Sequence, residues 1–195
     1  MGENISTLAK TGVCVILVAF IISMVLSLTS VSQGITSKGL NLFQGGAASI
    51  AQQEFEQYNQ KKVYGTDVKG ALSLYQGRDI SIIIRTKTCG TTVWGHMYGL
   101  LLNGGTTGTT APTKNGTGTD IYYSIPSSWL KANAETGGYD AEVLMVNGMS
   151  QFCANVKHTT MTGDIQFIVD SARFQANLVR NASGEIIGIV FEQIV

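Results

Sequence analysis

The stretch that decides the architecture predicted for this chain is residues 12–28, GVCVILVAFIISMVLSL. It holds no charged residue, no proline and no amide side chain, and the chain stays free of charge from Thr11 to Ser37. As a helix, these residues would span roughly 25 Å, near the short end of the lengths that cross a bilayer core. A helix satisfies its own backbone polar groups, as a membrane requires. The stretch therefore predicts a membrane-spanning helix. The alternative, a buried core helix, usually carries a polar stripe.

Such a stretch is typical of two kinds of exported protein. A secretory signal peptide has a basic start, an apolar middle and small residues at its cleavage point. Lys10 supplies a weak basic start, and Ser30-Val31-Ser32 satisfies the small-residue rule before Gln33. We favour the other kind, an uncleaved anchor that leaves the C-terminal domain outside the cell. Lys10 and Lys38 lie on opposite sides of the stretch. The difference in positive charge between its two ends, which sets the orientation of a membrane-spanning helix, is therefore small.

Residues 12–28 are called the apolar segment below. Its side chains are expected to contact lipid first and then other copies of the chain in the core of a fibre. The predicted membrane and assembly residues are Gly12, Val13, Val15, Ile16, Leu17, Val18, Phe20, Ile21, Ile22, Met24, Val25, Leu26 and Leu28.

The charge balance excludes some classes of partner. The 195 residues include 13 Lys and Arg and 13 Asp and Glu, so the formal net charge is zero. A nucleic-acid partner would need a basic surface, and none is predicted. Charged residues make up only 13% of the chain, while Gly, Thr and Ser are abundant. This composition suits a surface that packs against copies of itself, and it also suits ordinary secreted β-domains.

Cysteine usage points to one predicted bridge. Cys14 lies in the apolar segment, which leaves Cys89 and Cys153 as an even pair in the rest of the chain. Export would place this pair in an oxidising compartment. A disulfide between Cys89 and Cys153 is therefore predicted, and two buried thiols are the alternative.

The fold class predicted is α+β, with a long N-terminal hydrophobic helix followed by a domain with an antiparallel β-sheet. Residues 1–62 are predicted to form the membrane and assembly helix, because Phe43, Ala47, Ile50, Phe55 and Tyr58 continue on one helical face after the apolar segment. A flexible Gly/Ser linker followed by a short helix is the alternative. Residues 63–195 are assigned to the extracellular sheet domain, which is long enough to bury a core.

Several local patterns support the sheet. A short helix is predicted at 68–75, and residues 79–87 predict a strand that is β-branched at nearly every position. Asn147-Gly148 is a hairpin signal. Residues 163–169 are predicted to form a further strand. Residues 172–180 alternate apolar and polar side chains, and a turn at Ala182-Ser183-Gly184 leads to a returning strand at 185–195. These last strands predict an antiparallel hairpin that ends the domain.

No catalytic or metal site is predicted. His96 and His158 are the only histidines, and neither stands at a ligand spacing to the other or to a cysteine pair. The glycines of residues 103–119 lie in a Thr-rich stretch with no following helix to bind a phosphate, so nucleotide binding is rejected. We accordingly expect no metal, no small-molecule cofactor and no enzymatic activity.

One enzyme family is nevertheless similar in part. Thr86-Lys87-Thr88-Cys89 resembles the end of the Thr-Leu-x-Thr-Cys motif of sortases, which are anchored cysteine transpeptidases. Their histidine precedes the cysteine, whereas His96 follows Cys89. Cys153 does follow His96 and precede Arg173, but it lacks the motif. The match is split between the two cysteines, which makes a sortase-like transpeptidase the weakest of the alternatives.

An uncharged N-terminal helix that runs on into an antiparallel sheet domain resembles the architecture of type IV pilins and pseudopilins. Lys10-Thr11-Gly12 followed by an apolar run is similar to their cleavage pattern, although Val13 and Leu17 stand where most members carry Phe or Met and Glu. The middle stretch, from Tyr64-Gly65-Thr66-Asp67-Val68 through Ile80–Arg85, resembles small single-pass proteins encoded near tight-adherence pilus genes. The resemblance implies a pilin-like structural subunit of an extracellular filament or secretion apparatus. It implies a membrane and copies of the chain itself as partners, and a location on the cell surface or in an extracellular filament. A monomeric, membrane-anchored extracellular binding domain is the alternative.

Overall fold

The computed structural model describes residues 52–104, 110–126, 129, 131–132 and 137–194 of the chain. Its helical parts are residues 52–56, the helix α1 at Gly65–Leu74, and a 3-10 turn at Lys157–Thr160. The first strands are β1 Lys61–Tyr64, β2 Ser81–Arg85, β3 Val93–Leu100, β4 Leu102–Asn103, β5 Thr113–Asn115, β6 Tyr122–Pro126 and β7 Lys131–Ala132. The remaining strands are β8 Tyr139–Asp140, β9 Glu142–Val143, β10 Met145–Val146, β11 Met149–Ser150, β12 Phe152–Cys153, β13 Arg173–Arg180 and β14 Ile186–Gln193.

One ten-stranded sheet organises the described residues, in the order β5-β6-β3-β2-β14-β13-β8-β7. The outer edge of β13 is shared by β1 and β8, and β12 pairs with the end of β3. Two short pairs, β4 with β9 and β10 with β11, lie apart from this sheet. The longest strands, β3, β13 and β14, with β2 between β3 and β14, form its centre.

The central strands β2 and β14 are covered on both faces. The register places Ile82, Ile84 and Phe191 on one face and Ile83 and Val190 on the other, and all five are buried. The first face packs against α1 and Tyr58, and the second joins a core cluster with Leu101, Trp129 and other apolar residues. Strands buried on both faces favour continuous apolar runs over alternation, which explains the four isoleucines in and just before β2.

The predicted fold class was wrong. Strands make up 43% of the described residues and helical positions 15%, so this part of the chain is mostly β. The sheet is mixed, because β14 runs parallel to β2 and β8 runs parallel to β13. Among the described residues no helix is long and apolar enough to cross a membrane. The apolar segment, predicted to lie in a long N-terminal helix, falls outside those residues.

The predicted helix of residues 1–62 was also wrong at its C-terminal end. Helical residues stop at 56, three tight turns follow, and Lys61–Tyr64 pairs with β13 as strand β1. Gln60 ends the turns with a positive φ of 53°, a conformation that no helix continues through. Pairing with β13 therefore overrides the apolar periodicity that predicted a helix here.

Two other predictions in the domain had opposite outcomes. The C-terminal hairpin is confirmed: β13 and β14 pair antiparallel from Phe174 to Arg180, with Phe174, Ala176 and Leu178 buried. The strand predicted at 163–169 was wrong, because the segment forms turns. Asp164 accepts the N–H of Gln166 through its side chain and that of Phe167 through its carbonyl. Such local hydrogen bonds compete with a strand ladder.

Candidate functional site

An apolar groove lies between the C-terminal end of α1 and the end of β3. It encloses about 240 Å³, and none of its lining residues is charged. Those residues are Leu72, Tyr75, Gln76, Gly77, Ile80, Ile82, Tyr98, Gly99, Phe152, Cys153, Ala154 and Val156. Apolar walls with few polar atoms are typical of binding clefts, so this groove is the first candidate site.

Two backbone features form the floor of the groove. Gly77 has a φ of +77° just after α1 and takes the chain back toward Ile80. At Gly99, with a φ of +70°, an added Cβ would lie 2.5 Å from the Ile80 carbonyl oxygen. That carbonyl accepts the N–H of Leu100 at 3.0 Å. Only glycine permits both the dihedral angle and the close approach of these two strands.

The hairpin of β10 and β11 directly precedes β12, whose residues Phe152 and Cys153 line the groove. Its turn, Asn147-Gly148, has φ values of 52° and 76°, as a two-residue hairpin requires, and confirms the hairpin predicted there. Met145, Val146 and Met149 are 55%, 45% and 65% exposed. Exposed apolar side chains that lie together can form an interaction surface.

A second candidate is a cluster around the end of β2. The Cys89 Sγ lies 3.8 Å from Nδ1 of His96. A tight turn from Thr86 to Cys89 holds the thiol there, and the hydroxyls of Thr86 and Thr88 both donate to the Ile165 carbonyl. Burial, aided by the nearby His158 and opposed by Asp164, lowers the pKa of His96 to about 4. His96 is therefore neutral at pH 7 and a weak base.

His158 links three segments next to this cluster. Its Nδ1 lies 2.7 Å from a carboxylate oxygen of Asp164, and its Nε2 lies 3.1 Å from one of Asp120. Its ring packs against Tyr122, which also contacts His96. Burial acts to raise the pKa of Asp164, but the Gln166 N–H and His158 outweigh it, so that pKa is lowered. The side-chain amide of Asn155, helped by Lys157 and His158, lowers the pKa of Asp120.

The two cysteines of the predicted disulfide are both free thiols in this structure. Cys153 pairs with Gly99 on β3, whereas Cys89 contacts His96, three residues earlier on the same strand. Along a strand that separation is about 10 Å. Burial raises the pKa of Cys153. The disulfide between Cys89 and Cys153 stays a prediction. The other predicted site residues all belong to the apolar segment and lie outside the described residues.

Sequence reasoning missed both candidate sites. Nothing in the spacing of His96 and His158 indicates that one contacts Cys89 and the other contacts two aspartates. The groove combines α1, β3 and β12, which are far apart in the chain. No group of three or more His, Cys, Asp or Glu side chains that could hold a metal ion occurs among the described residues.

Comparison of the chain with protein-family models, with curated proteins and with solved structures finds no match.

Proposed function

We propose that the chain is a pilin-like structural subunit of an extracellular filament or secretion apparatus, anchored and assembled through the apolar segment. The observation that carries the proposal is the apolar segment itself, which has no charge, proline or amide over residues 12–28. Water-exposed chain rarely keeps such a stretch, since it would present a large apolar patch. Burial in a bilayer, or against identical segments in a fibre, removes that patch from water.

The charge balance supports association between copies. With 13 cationic and 13 anionic side chains, two copies that approach each other experience little net repulsion. The described residues also form a compact unit from Gln52 onward, with a core on each face of β2. A domain with its own core can serve as the outward-facing part of a subunit whose contacts to lipid or to other copies lie elsewhere.

The groove favours a second candidate function, a monomeric, membrane-anchored extracellular binding domain. Its apolar lining, with about 240 Å³ of space, suits a single apolar side chain or a small apolar ligand.

The sortase-like alternative gains less support. Cys89 does meet His96, but a histidine whose pKa lies near 4 is a poor general base at neutral pH.

The test of the anchor is a double substitution, Val18→Asp with Ile22→Asp, in the full-length chain. Each charge at the centre of a membrane-spanning segment costs about 2.5–3.5 kcal/mol. We expect the wild type to sediment with membranes or fibres and the double variant to stay in the supernatant.

The matched control is Val18→Leu with Ile22→Leu, which keeps the segment apolar and should sediment like the wild type. Sedimentation of the charged variant with membranes or fibres would show that the apolar segment is not the anchor, and the proposal would then be rejected.

A further inference from the structure

Three asparagines of the chain are followed directly by glycine, at Asn103-Gly104, Asn115-Gly116 and Asn147-Gly148. Asparagine is a chemically labile residue, because its side-chain amide can react with the next backbone nitrogen and lose ammonia. A following glycine favours this reaction, since no Cβ stands beside the attacking nitrogen. All three steps lie within the part of the chain that the structure describes, and their surroundings differ.

The first step, Asn103-Gly104, is held by its backbone. Asn103 pairs with Glu142 in the short sheet of β4 and β9. The N–H of Gly104, which would supply the attacking nitrogen, donates to the Thr110 carbonyl at 3.0 Å. Gly104 is buried, and a Cβ added there would clash with Trp129. The backbone therefore cannot rearrange here without breaking these contacts.

The second step, Asn115-Gly116, is held by its side chain. The amide nitrogen of Asn115 donates to the Thr113 carbonyl and to the Ser124 hydroxyl, both at 2.9 Å. At Gly116 an added Cβ would clash with the carbonyl oxygen of Asp120. Because that amide nitrogen is the group that leaves as ammonia, the reaction must first break both of its hydrogen bonds.

The third step, Asn147-Gly148, has none of these restraints. Both residues are exposed at the tip of the β10–β11 hairpin. A Cβ added at Gly148 would meet no atom within 4 Å outside its own neighbours in the chain. Neither the Asn147 side chain nor the Gly148 N–H forms a hydrogen bond to another described residue. Only two residue pairs join the strands of this hairpin, so the turn can open without disturbing the core.

We propose that Asn147 is a site of spontaneous deamidation in the folded chain. The backbone nitrogen of Gly148 attacks the side-chain Cγ of Asn147 and closes a succinimide ring. The bond from Cγ to Nδ2 breaks, and Nδ2 leaves as ammonia with the proton that the Gly148 nitrogen gives up. Water then opens the ring. Its addition at Cγ gives aspartate, and its addition at the main-chain carbonyl carbon gives isoaspartate, whose backbone runs through the former side chain.

Either product changes the chemistry of the hairpin. Residues 143–156 contain no charged side chain, so the new carboxylate is the first charge in this segment. Isoaspartate also adds a carbon to the backbone of a two-residue turn, whose φ values of 52° and 76° suit the pairing of β10 with β11. Deamidation therefore alters the charge of the tip and, as isoaspartate, its pairing. The modification does not depend on the proposed function.

The test is incubation of the full-length chain at pH 8, followed by digestion at acidic pH and peptide mass spectrometry. Each peptide reports its own step in the same sample, so Asn103 and Asn115 are internal controls. We expect Asn147 to lose ammonia at least about tenfold faster than either control, which corresponds to a barrier lower by about 1.4 kcal/mol. In urea the protecting contacts are absent, so the three rates should become similar.

Two glycine variants test the attacking nitrogen. Gly148→Ala places a methyl group beside it and should slow the loss of ammonia at Asn147 by about tenfold, because the added Cβ opposes ring closure. Gly184→Ala is the matched control. Gly184 also lies in an open turn, with a φ of +82°, but it follows Ser183. This variant introduces similar backbone strain and should leave the rate at Asn147 unchanged.

Equal rates at the three asparagines of the folded chain would overturn the proposal. An undiminished preference for Asn147 in urea would also overturn it, because the preference would then come from the neighbouring sequence and not from the fold. An unchanged rate in Gly148→Ala would exclude attack by the Gly148 nitrogen.

Discussion

His96 lies in an environment that its position in the sequence does not indicate. It lies on β3 opposite Ile84, is only 2% exposed, and its Nε2 has no hydrogen-bond partner among the described residues. Burial favours the neutral ring and lowers its pKa to about 4. The unfolded chain, with the pKa near its ordinary value of 6.5, therefore binds more protons than the folded chain between pH 6.5 and pH 4.

We expect this difference to make the domain less stable as the pH falls from 6.5 to 4. A group whose pKa is lower in the folded state makes its full contribution to the free energy of unfolding above its unfolded-state pKa, and this contribution is lost on acidification. For His96 the loss is about 3 kcal/mol at most. Urea unfolding at pH 7 and pH 5 measures the loss. His96→Gln should show a smaller loss between these two pH values than the wild type. Equal losses of stability in the wild type and the variant would show that His96 does not cause the pH dependence.

The two thiols of the domain should differ in reactivity. Cys89 is partly exposed, whereas Cys153 is 4% exposed and burial raises its pKa. The thiolate is the reactive form, so we expect iodoacetamide to alkylate Cys89 in the folded protein and Cys153 only after unfolding. Peptide mass spectrometry under non-reducing conditions measures both labels. A linked Cys89–Cys153 peptide would instead show that the bridge predicted from the sequence forms.

At the scale of elements, the helical residues 52–56 are bound to the sheet domain by several independent contacts. The carboxylate of Glu54 pairs with Arg78 through two hydrogen bonds of 3.1 and 3.0 Å, and Glu56 pairs with Arg180. The side chain of Gln52 exchanges two hydrogen bonds with the backbone of Ile186. Phe55 is 5% exposed and packs edge-on against Tyr75.

Removal of the Phe55 side chain should therefore destabilise the whole domain. We expect Phe55→Ala to lower the free energy of unfolding by about 3–5 kcal/mol, because it opens a cavity between residues 52–56 and Tyr75. Leu74→Ala is the control: Leu74 is 57% exposed at the end of α1, so its loss should change stability by about 0.5 kcal/mol or less. Chemical denaturation measures both. Similar small effects would mean that residues 52–56 do not stabilise the domain.

Sequence patterns predicted the elements whose signal is local. The β13–β14 hairpin follows from strict alternation around a turn with glycine, and α1 was expected at 68–75 and found at Gly65–Leu74. The parallel pairing of β14 with β2 was missed, although the unbroken apolar run before Arg85 is typical of a strand buried on both faces. Pairing partners far apart in the chain leave no local signal, so the groove and the contact of Cys89 with His96 could not be predicted.

The whole chain has two parts with different roles in the proposed function. The apolar segment, known from the sequence alone, supplies the proposed anchor and assembly element. The mostly β domain is proposed to form the outward-facing part of the subunit. The apolar segment carries no charge, so association through it should depend only weakly on salt.

Negative-stain microscopy of the purified full-length chain is the sharpest test of self-assembly through the apolar segment. We expect fibres or ordered assemblies for the wild type and for Val18→Leu with Ile22→Leu, and none for Val18→Asp with Ile22→Asp, because each charge opposes burial of the segment. Isolated particles in wild-type samples, or fibres that persist in the charged variant, would contradict self-assembly through the apolar segment.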